Sequence, residues 1–265
     1  MEKSQTIQVR TMAECSAANQ EVEYLFWVGS AGSYDDRAKK ITRAFTKILA
    51  YCDVDFAILG PEETDSGDVA RRAGNEFLFQ MQAMQNIETL NMYQVKKIIT
   101  CDPHDYNTLK NEYTDLGGNY QVEHHSQFIE SLIKLGRLKI DKSLLADKKI
   151  TFHDPCYLGR GNNIYEAPRS ILKQISANLP EMKRNKQRSL CCGAGGAQMF
   201  KEAEKGAMEV YSLRTKDALE VSPEIIATAC PFCMTMLTDG IKMEDKQAQI
   251  RVMDIAELVA EALGL

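Results

Sequence analysis

The stretch "ACPFCMTMLTD" (residues 229–239) shares its frame with "CDPHDYNTLKN" (residues 101–111). Superposing Pro231 on Pro103 sets Cys230 against Asp102, Cys233 against Asp105 and Leu237 against Leu109. In both, an apolar run precedes the proline and a helix-forming run follows it. Proline is tolerated in the first turn of a helix, where its missing N–H leaves no bond unmade. The two stretches therefore read as one strand-to-helix turn used twice, and an internal repeat decides architecture before any single element does.

The match extends upstream. "LCCGAGGAQMF" (190–200) faces "TDSGDVARRAGN" (64–75) on Gly193 and Gly67, setting Cys191 against Asp65 and Cys192 against Ser66. "HDPCYLGR" (153–160) faces "WVGSAGSY" (27–34), with Cys156 against Ser30. The first interval is 35 residues in both halves, from Ser30 to Asp65 and from Cys156 to Cys191. The second is 37 residues in one half and 39 in the other, and the closing pair lies three apart in both. Each half holds one five-position constellation. In the second all five are cysteine; in the first they are Ser30, Asp65, Ser66, Asp102 and Asp105.

Strand-like apolar runs occur at 23–29, 54–60, 96–101, 120–125, 148–154, 224–229 and 250–255. Helical patterns lie at 35–52, at 70–93 in two pieces, and at 104–117, 126–138, 167–176, 204–221, 233–243 and 256–265. Such alternation denotes βαβ units and parallel sheets. The expected fold is α/β: two duplicated Rossmann-like domains with mainly parallel sheets. Residues 1–22 read as an extended lead-in, 23–140 as the first domain and 148–265 as the second. The charged connector "LKIDKSLLADKK" (138–149) joins them.

A hydrophobic content of 44% and a charged content of 26% over 265 residues are ordinary for a globular protein. The net charge of −5 argues against a nucleic-acid binder with a broadly basic surface. No apolar run is long enough for a transmembrane helix, and residues 1–20 lack the apolar core of a secretion signal. The expected address is cytoplasmic. There, clustered cysteines bind metal or do redox chemistry rather than form disulfide scaffolds. Cys15, Cys52 and Cys101 stand apart from the other five and read as packing residues.

Cys230-Pro-Phe-Cys233 places two thiols at a helix start, where backbone amides favour thiolates. In an open parallel sheet the C-terminal strand ends meet in one crevice, so thiols distant in sequence converge. A structural zinc takes four ligands and leaves one cysteine over. A redox disulfide at the CxxC alone leaves Cys156, Cys191 and Cys192 without a role. An iron–sulfur cluster uses thiolates in number and tolerates irregular spacing. An adjacent pair can serve two irons, and the small residues from Gly193 onward let backbone amides approach. The cluster is the favoured reading; a non-catalytic binding or assembly module with a structural zinc is the alternative.

At these residues the chain resembles the cysteine-rich CCG domain family, whose pattern is Cys, then Cys-Cys-Gly, then Cys-Pro-x-Cys. This domain is known from heterodisulfide reductase, where one polypeptide carries it twice. It is also known from the iron–sulfur subunits of glycerol-3-phosphate dehydrogenase, lactate utilisation and related oxidoreductases. The resemblance covers the whole chain as two copies, the first degenerate and the second complete. It implies a [4Fe-4S] cluster, non-cubane in the heterodisulfide reductase, held by Cys156, Cys191, Cys192, Cys230 and Cys233, with Gly193 shaping the binding loop. It further implies an iron–sulfur subunit that transfers electrons or reduces a disulfide or quinone-linked partner. The ferredoxin-like CxxCxxCxxxCP segment of longer relatives is missing from these 265 residues. The expected partner is therefore another redox subunit carrying ferredoxin-like clusters or flavin, with any membrane association made through it.

Without cysteine, the first constellation suits no thiolate-bound metal. Its carboxylates, with His104, suit a hard cation, or else it is a lost site held by hydrogen bonds to helix-start amides, the reading favoured here. Carboxylate repulsion there would be relieved by protonation, by water, or by Arg71 and Arg72. His153, beside Asp154, is the candidate proton donor near the cluster. Arg160 suits an anionic substrate or a neighbouring carboxylate. His124 and His125 read as structural or exposed. "GSAGSYDDR" (29–37) lacks the GxGxxG pattern of a dinucleotide site.

Overall fold

The structure, a computed structural model, describes residues 7–140, 144–202 and 205–265. Two all-parallel sheets organise it. The first has strands β1 (Tyr24–Trp27), β2 (Phe56–Ala57), β3 (Lys97–Thr100) and β4 (Gln121–His124), in the order β2-β1-β3-β4. The second has β5 (Ile150–Phe152), β6 (Ile225–Thr228) and β7 (Arg251–Asp254), in that order. The arrangement β1-β3-β4 recurs as β5-β6-β7, as the repeat predicts. In register, Ile98 pairs with Leu25 and Val122, and Ile225 pairs with Ile150 and Arg251.

Successive strand residues point to opposite faces. Phe26 and Ile99 accordingly face one core and Leu25, Trp27 and Ile98 another. The first of these cores also contains Ile150, Phe152, Ile225 and Met253, so the inner faces of both sheets share one apolar interior. Four helices form its middle layer: α3 (Ala38–Tyr51), α7 (His125–Lys134), α8 (Glu166–Ile175) and α11 (Ile255–Leu263). α3 packs on α11, and α7 on α8. Since α3 corresponds to α8 and α7 to α11, the two contacts are one contact made twice about a pseudo-two-fold axis.

α3 shows why such segments are helical. Ile41, Phe45, Ile48 and Leu49 recur at helical spacing and are all buried. Asp35 accepts a hydrogen bond from Ala38 N at 2.7 Å to start the helix, and Asp53, at φ 50°, ends it. Burying each such side chain stabilises the fold by about 1.5–3 kcal/mol.

Several elements differ from expectation. The lead-in contains helix α1 (Met12–Ala17), started by a capping box between Thr11 and Glu14. The segment after β1 is a short helix, α2 (Gly29–Tyr34). The strand expected at 54–60 contracts to two residues, because Gly60 turns the chain at φ 64° into a 3-10 turn. The 70–93 pattern does fall in two pieces, as expected, α4 (Asp68–Arg72) and α5 (Glu76–Met92), divided at Gly74. The 104–117 helix breaks into α6 (Pro103–Asn107), a π-turn at 108–112 and a 3-10 turn at 113–116. The helix expected over 204–221 starts only at Val210, as α9 (Val210–Leu219), followed by β6 and α10 (Pro231–Met243). Its expected first residue, 204, and residues 141–143 of the connector lie outside the described residues.

Candidate metal centre

The fold brings all five cysteines of the second constellation to the C-terminal ends of β5 and β6. Cys156 follows β5 and precedes a π-turn. Cys191 and Cys192 lie in the loop that Gly193, at φ 95°, turns back toward the sheet. Cys230 is the N-cap residue of α10, and Cys233 lies in its first turn. The thiols form an unbroken chain of contacts. Cys156 and Cys192 both hydrogen-bond Cys191, Cys233 Sγ lies 3.3 Å from Cys192 Sγ, and Cys233 also donates to Cys230. All eight cysteines of the chain are free.

The electrostatics divide the set. Hydrogen bonds from Cys156 and Cys192, then from the Gly193 amide at 3.3 Å, pull Cys191 far below the usual thiol range. Burial would raise Cys230, but hydrogen bonds from Cys233 and His104 bring it down to about 5. Cys156, Cys192 and Cys233, the hydrogen-bond donors, are pushed up. Thiolates are the metal-binding form, and two of the five are set in that form by their neighbours.

His153 directly follows β5, beside this chain of thiols. Its Nδ1 accepts from Arg214 Nε at 2.9 Å, so the neutral ring carries its proton on Nε2. Burial and the Arg214 charge hold the imidazole well below its ordinary range. Nε2 is buried without a partner and sits in one compact group with Cys192 and Cys233. An orphaned N–H among thiols fits a group whose sulfurs accept hydrogen bonds, and a row of five thiols fits a thiolate-bound cluster. Arg214 is wholly buried behind His153, a cation placed to offset the negative charge of such a group. No motif marked it; the only trace in the sequence is its i, i+3 pairing with Asp217 on α9.

The first constellation repeats this layout in oxygen. Ser30 Oγ donates to Asp65 Oδ2 at 2.7 Å, where Cys156 donates to Cys191. Gly67 N donates to Asp65 Oδ1 at 2.8 Å, where Gly193 N donates to Cys191. Ser66 bonds Asp105, where Cys192 meets Cys233. Gly67 has φ 87° to match Gly193, and the buried, unpartnered Trp27 Nε1 stands where His153 Nε2 does. Burial raises Asp105 well above the carboxylate range and Asp102 to about 7.

Asp65, Asp102 and Asp105 do not form a compact ligand group among the described residues. Arg71 and Arg72 turn away from them: Arg71 pairs with Glu76 and Glu112, and Arg72 with Asp68 and Glu112. Asp65 is held by hydrogen bonds from Ser30 and Gly67 instead, while burial favours the protonated forms of Asp102 and Asp105.

His104 leaves its own constellation and reaches the other. It forms a compact group with Asp102 and Cys230, and Asp68 and Cys230 hold it charged against the effect of burial. Asp154 is taken up by Arg169 at 2.7 and 3.0 Å. Arg160 donates to the Ser189 carbonyl, not to a carboxylate. His124 and His125 are fully buried.

Two parallel α/β repeats with a thiolate nest at the strand ends of the second define a duplicated cysteine-rich scaffold. The chain belongs to the CCG cysteine-rich domain family, which matches residues 24–110 and 150–238. It is 47% identical over 257 residues to a probable iron-sulfur-binding oxidoreductase, FadF, of Bacillus subtilis, covering 97% of this chain and 36% of that protein. It is 43% identical over 249 residues to an EtfAB:quinone oxidoreductase of Syntrophomonas wolfei, covering 92% and 35%. Against one subunit of the dihydromethanophenazine:CoB–CoM heterodisulfide reductase of Methanosarcina barkeri it is 34% identical over 252 residues, covering 92% and 60%. The chain thus spans about a third of the first two relatives. Among the described residues no helix is long and apolar enough to cross a membrane.

Proposed function

We propose that this chain is an iron–sulfur electron-transfer unit of an oxidoreductase, with a [4Fe-4S] cluster held by Cys156, Cys191, Cys192, Cys230 and Cys233. The observation that carries this reading is the convergence of all five cysteines at the C-terminal ends of β5 and β6, where Cys233 Sγ and Cys192 Sγ lie 3.3 Å apart. A bound cluster supplies one-electron transfer. The protein's own groups hold it: Gly193 N donates to Cys191, His153 Nε2–H faces Cys192 and Cys233, and Arg214 balances charge from behind. Held neutral, His153 acts as a fixed hydrogen-bond donor rather than as a proton shuttle.

The relatives named as a quinone oxidoreductase and as part of a heterodisulfide reductase support assembly with another redox subunit, which on the family resemblance would bear flavin or ferredoxin-like clusters. The electrons would pass to a disulfide or a quinone-linked acceptor. A reducing, cytoplasm-facing position suits thiolates that must stay unoxidised. Iron, zinc and acid-labile sulfide per chain, measured on anaerobically purified protein, test the reading. About four irons with matching sulfide are expected. About one zinc without sulfide would overturn it in favour of a structural module.

A further inference from the structure

His104 holds, in the first repeat, the place that Phe232 holds between the cysteines of the second. The two rings meet edge to face with centroids 5.1 Å apart, at the seam between the repeats. Tyr157, next to Cys156, also lies against the imidazole, with centroids 4.2 Å apart and the planes tilted by 31°. Nδ1 lies 2.9 Å from Asp68 Oδ2, and Asp68 Oδ1 accepts from Arg72 Nε at 3.0 Å. With Nδ1–H committed to that carboxylate, the imidazole stands in one compact group with Cys230 and Asp102, their ligand atoms all within 4.8 Å of one another, so the remaining ring nitrogen has the Cys230 sulfur within reach. A carboxylate behind a histidine, fixing which nitrogen faces the metal ligands, is the arrangement by which proteins orient imidazoles at metal centres. Asp68, His104 and Arg72 all belong to the repeat that has no ligand cysteine.

We propose that His104 is a positioning residue of the metal centre: from the cysteine-free repeat it donates a hydrogen bond to Cys230 and thereby raises the reduction potential of the cluster. The proposal rests on the cluster reading above. A donor to a thiolate ligand stabilises the more negative, reduced state, and hydrogen bonds to sulfur are among the main determinants of cluster potential. The first repeat is then half of the second repeat's site.

The test is an anaerobic redox titration followed by electron paramagnetic resonance, in which the cluster takes one electron from dithionite and no bond is made or broken. Iron and sulfide are first assayed on the unaltered protein. Their absence overturns the cluster reading itself, before His104 is in question. Given a loaded cluster, His104→Leu is expected to retain its iron and shift the reduction equilibrium at least tenfold toward the oxidised form, about 59 mV for a one-electron couple. His104→Gln keeps an N–H donor and is expected within about threefold of the unaltered protein. Pulsed resonance should detect weak nitrogen coupling that His104→Leu abolishes. A fully loaded His104→Leu protein with an unchanged potential would overturn the proposal. So would strong coupling of the kind a direct iron–nitrogen bond gives. Loss of iron from both His104→Leu and His104→Phe would overturn it as well, since His104 would then serve assembly rather than tuning.

Discussion

His125 Nε2, in the first half, lies 2.9 Å from Asp254 Oδ1, in the second, and neither residue has exposed surface. The carboxylate accepts, so Nε2 carries the proton and His125 Nδ1 accepts from His124 Nε2 at 3.2 Å. His124 Nδ1 in turn faces Ser126 Oγ at 2.8 Å. His124 and Asp254 are equivalent residues, each the N-cap of the helix after its strand. The network therefore lies on the pseudo-two-fold axis and ties the repeats through polar groups inside an otherwise apolar layer.

Asp254→Ala should be costly. It removes the cap that accepts from Ala256 N at 2.8 Å and leaves the buried His125 N–H unpaired. Together these amount to about 2–4 kcal/mol. Urea denaturation should show a lowered midpoint at unchanged slope, and a loss under about 1 kcal/mol would contradict the assignment.

The eight cysteines should separate by assay. Serine at any of Cys156, Cys191, Cys192, Cys230 or Cys233 should lower iron per chain substantially. Serine at Cys15 or Cys52, both buried in apolar cores, should leave iron unchanged and cost about 1–3 kcal/mol for burying a hydroxyl. Iron loss from Cys15→Ser would show that the ligand set is wrong.

Glu63 gives the fold a pH dependence. Burial raises its carboxyl from 4.5 to about 7, although the amides of Val28 and Gly29 donate to it at 3.0 and 2.6 Å. Between those values the folded chain binds a proton that the unfolded chain lacks, so this group's contribution falls as pH rises. One group changes stability by at most about 1.4 kcal/mol per pH unit. Denaturation midpoints of the metal-free protein at pH 5 and pH 7.5 should show a decline that Glu63→Gln reduces. Identical declines in both proteins would refute it.

Gly240 sets how closely α10 approaches α9. A methyl group there would overlap Thr215 Oγ1 and come within 3.0 Å of Thr215 Cβ. Gly240→Ala should cost about 1–3 kcal/mol by overpacking, visible as a lower melting temperature. Adding Thr215→Ala should restore part of it; no restoration would point away from this contact.

Much of the fold was legible because its signals are local or periodic. The apolar runs at 96–101 and 224–229 became β3 and β6 with each end trimmed by one residue. α2 escaped notice because Gly29, Ser30 and Gly32 are poor helix formers; its position after β1 holds it in place. α1 is marked in the sequence only by its Thr11–Glu14 capping box, a weak signal among polar neighbours. At the site, equal spacing revealed the five cysteines and their oxygen counterparts. The reach of His104 to Cys230 was not legible, since no period or motif records a contact between different repeats. Arg214 was hidden for a related reason: a buried cation on a helix looks like any surface arginine until its neighbours are known.

The sulfur chain is unevenly covered. Cys156 and Cys191 are partly exposed, while Cys192, Cys230 and Cys233 are buried beneath Phe232, Met199 and the first repeat. On the cluster reading proposed above, the Cys156–Cys191 rim would be the most exposed side of the metal and would give a docked partner its shortest path to it. A donor and an acceptor that both used this rim would have to take turns, like two plugs sharing one socket.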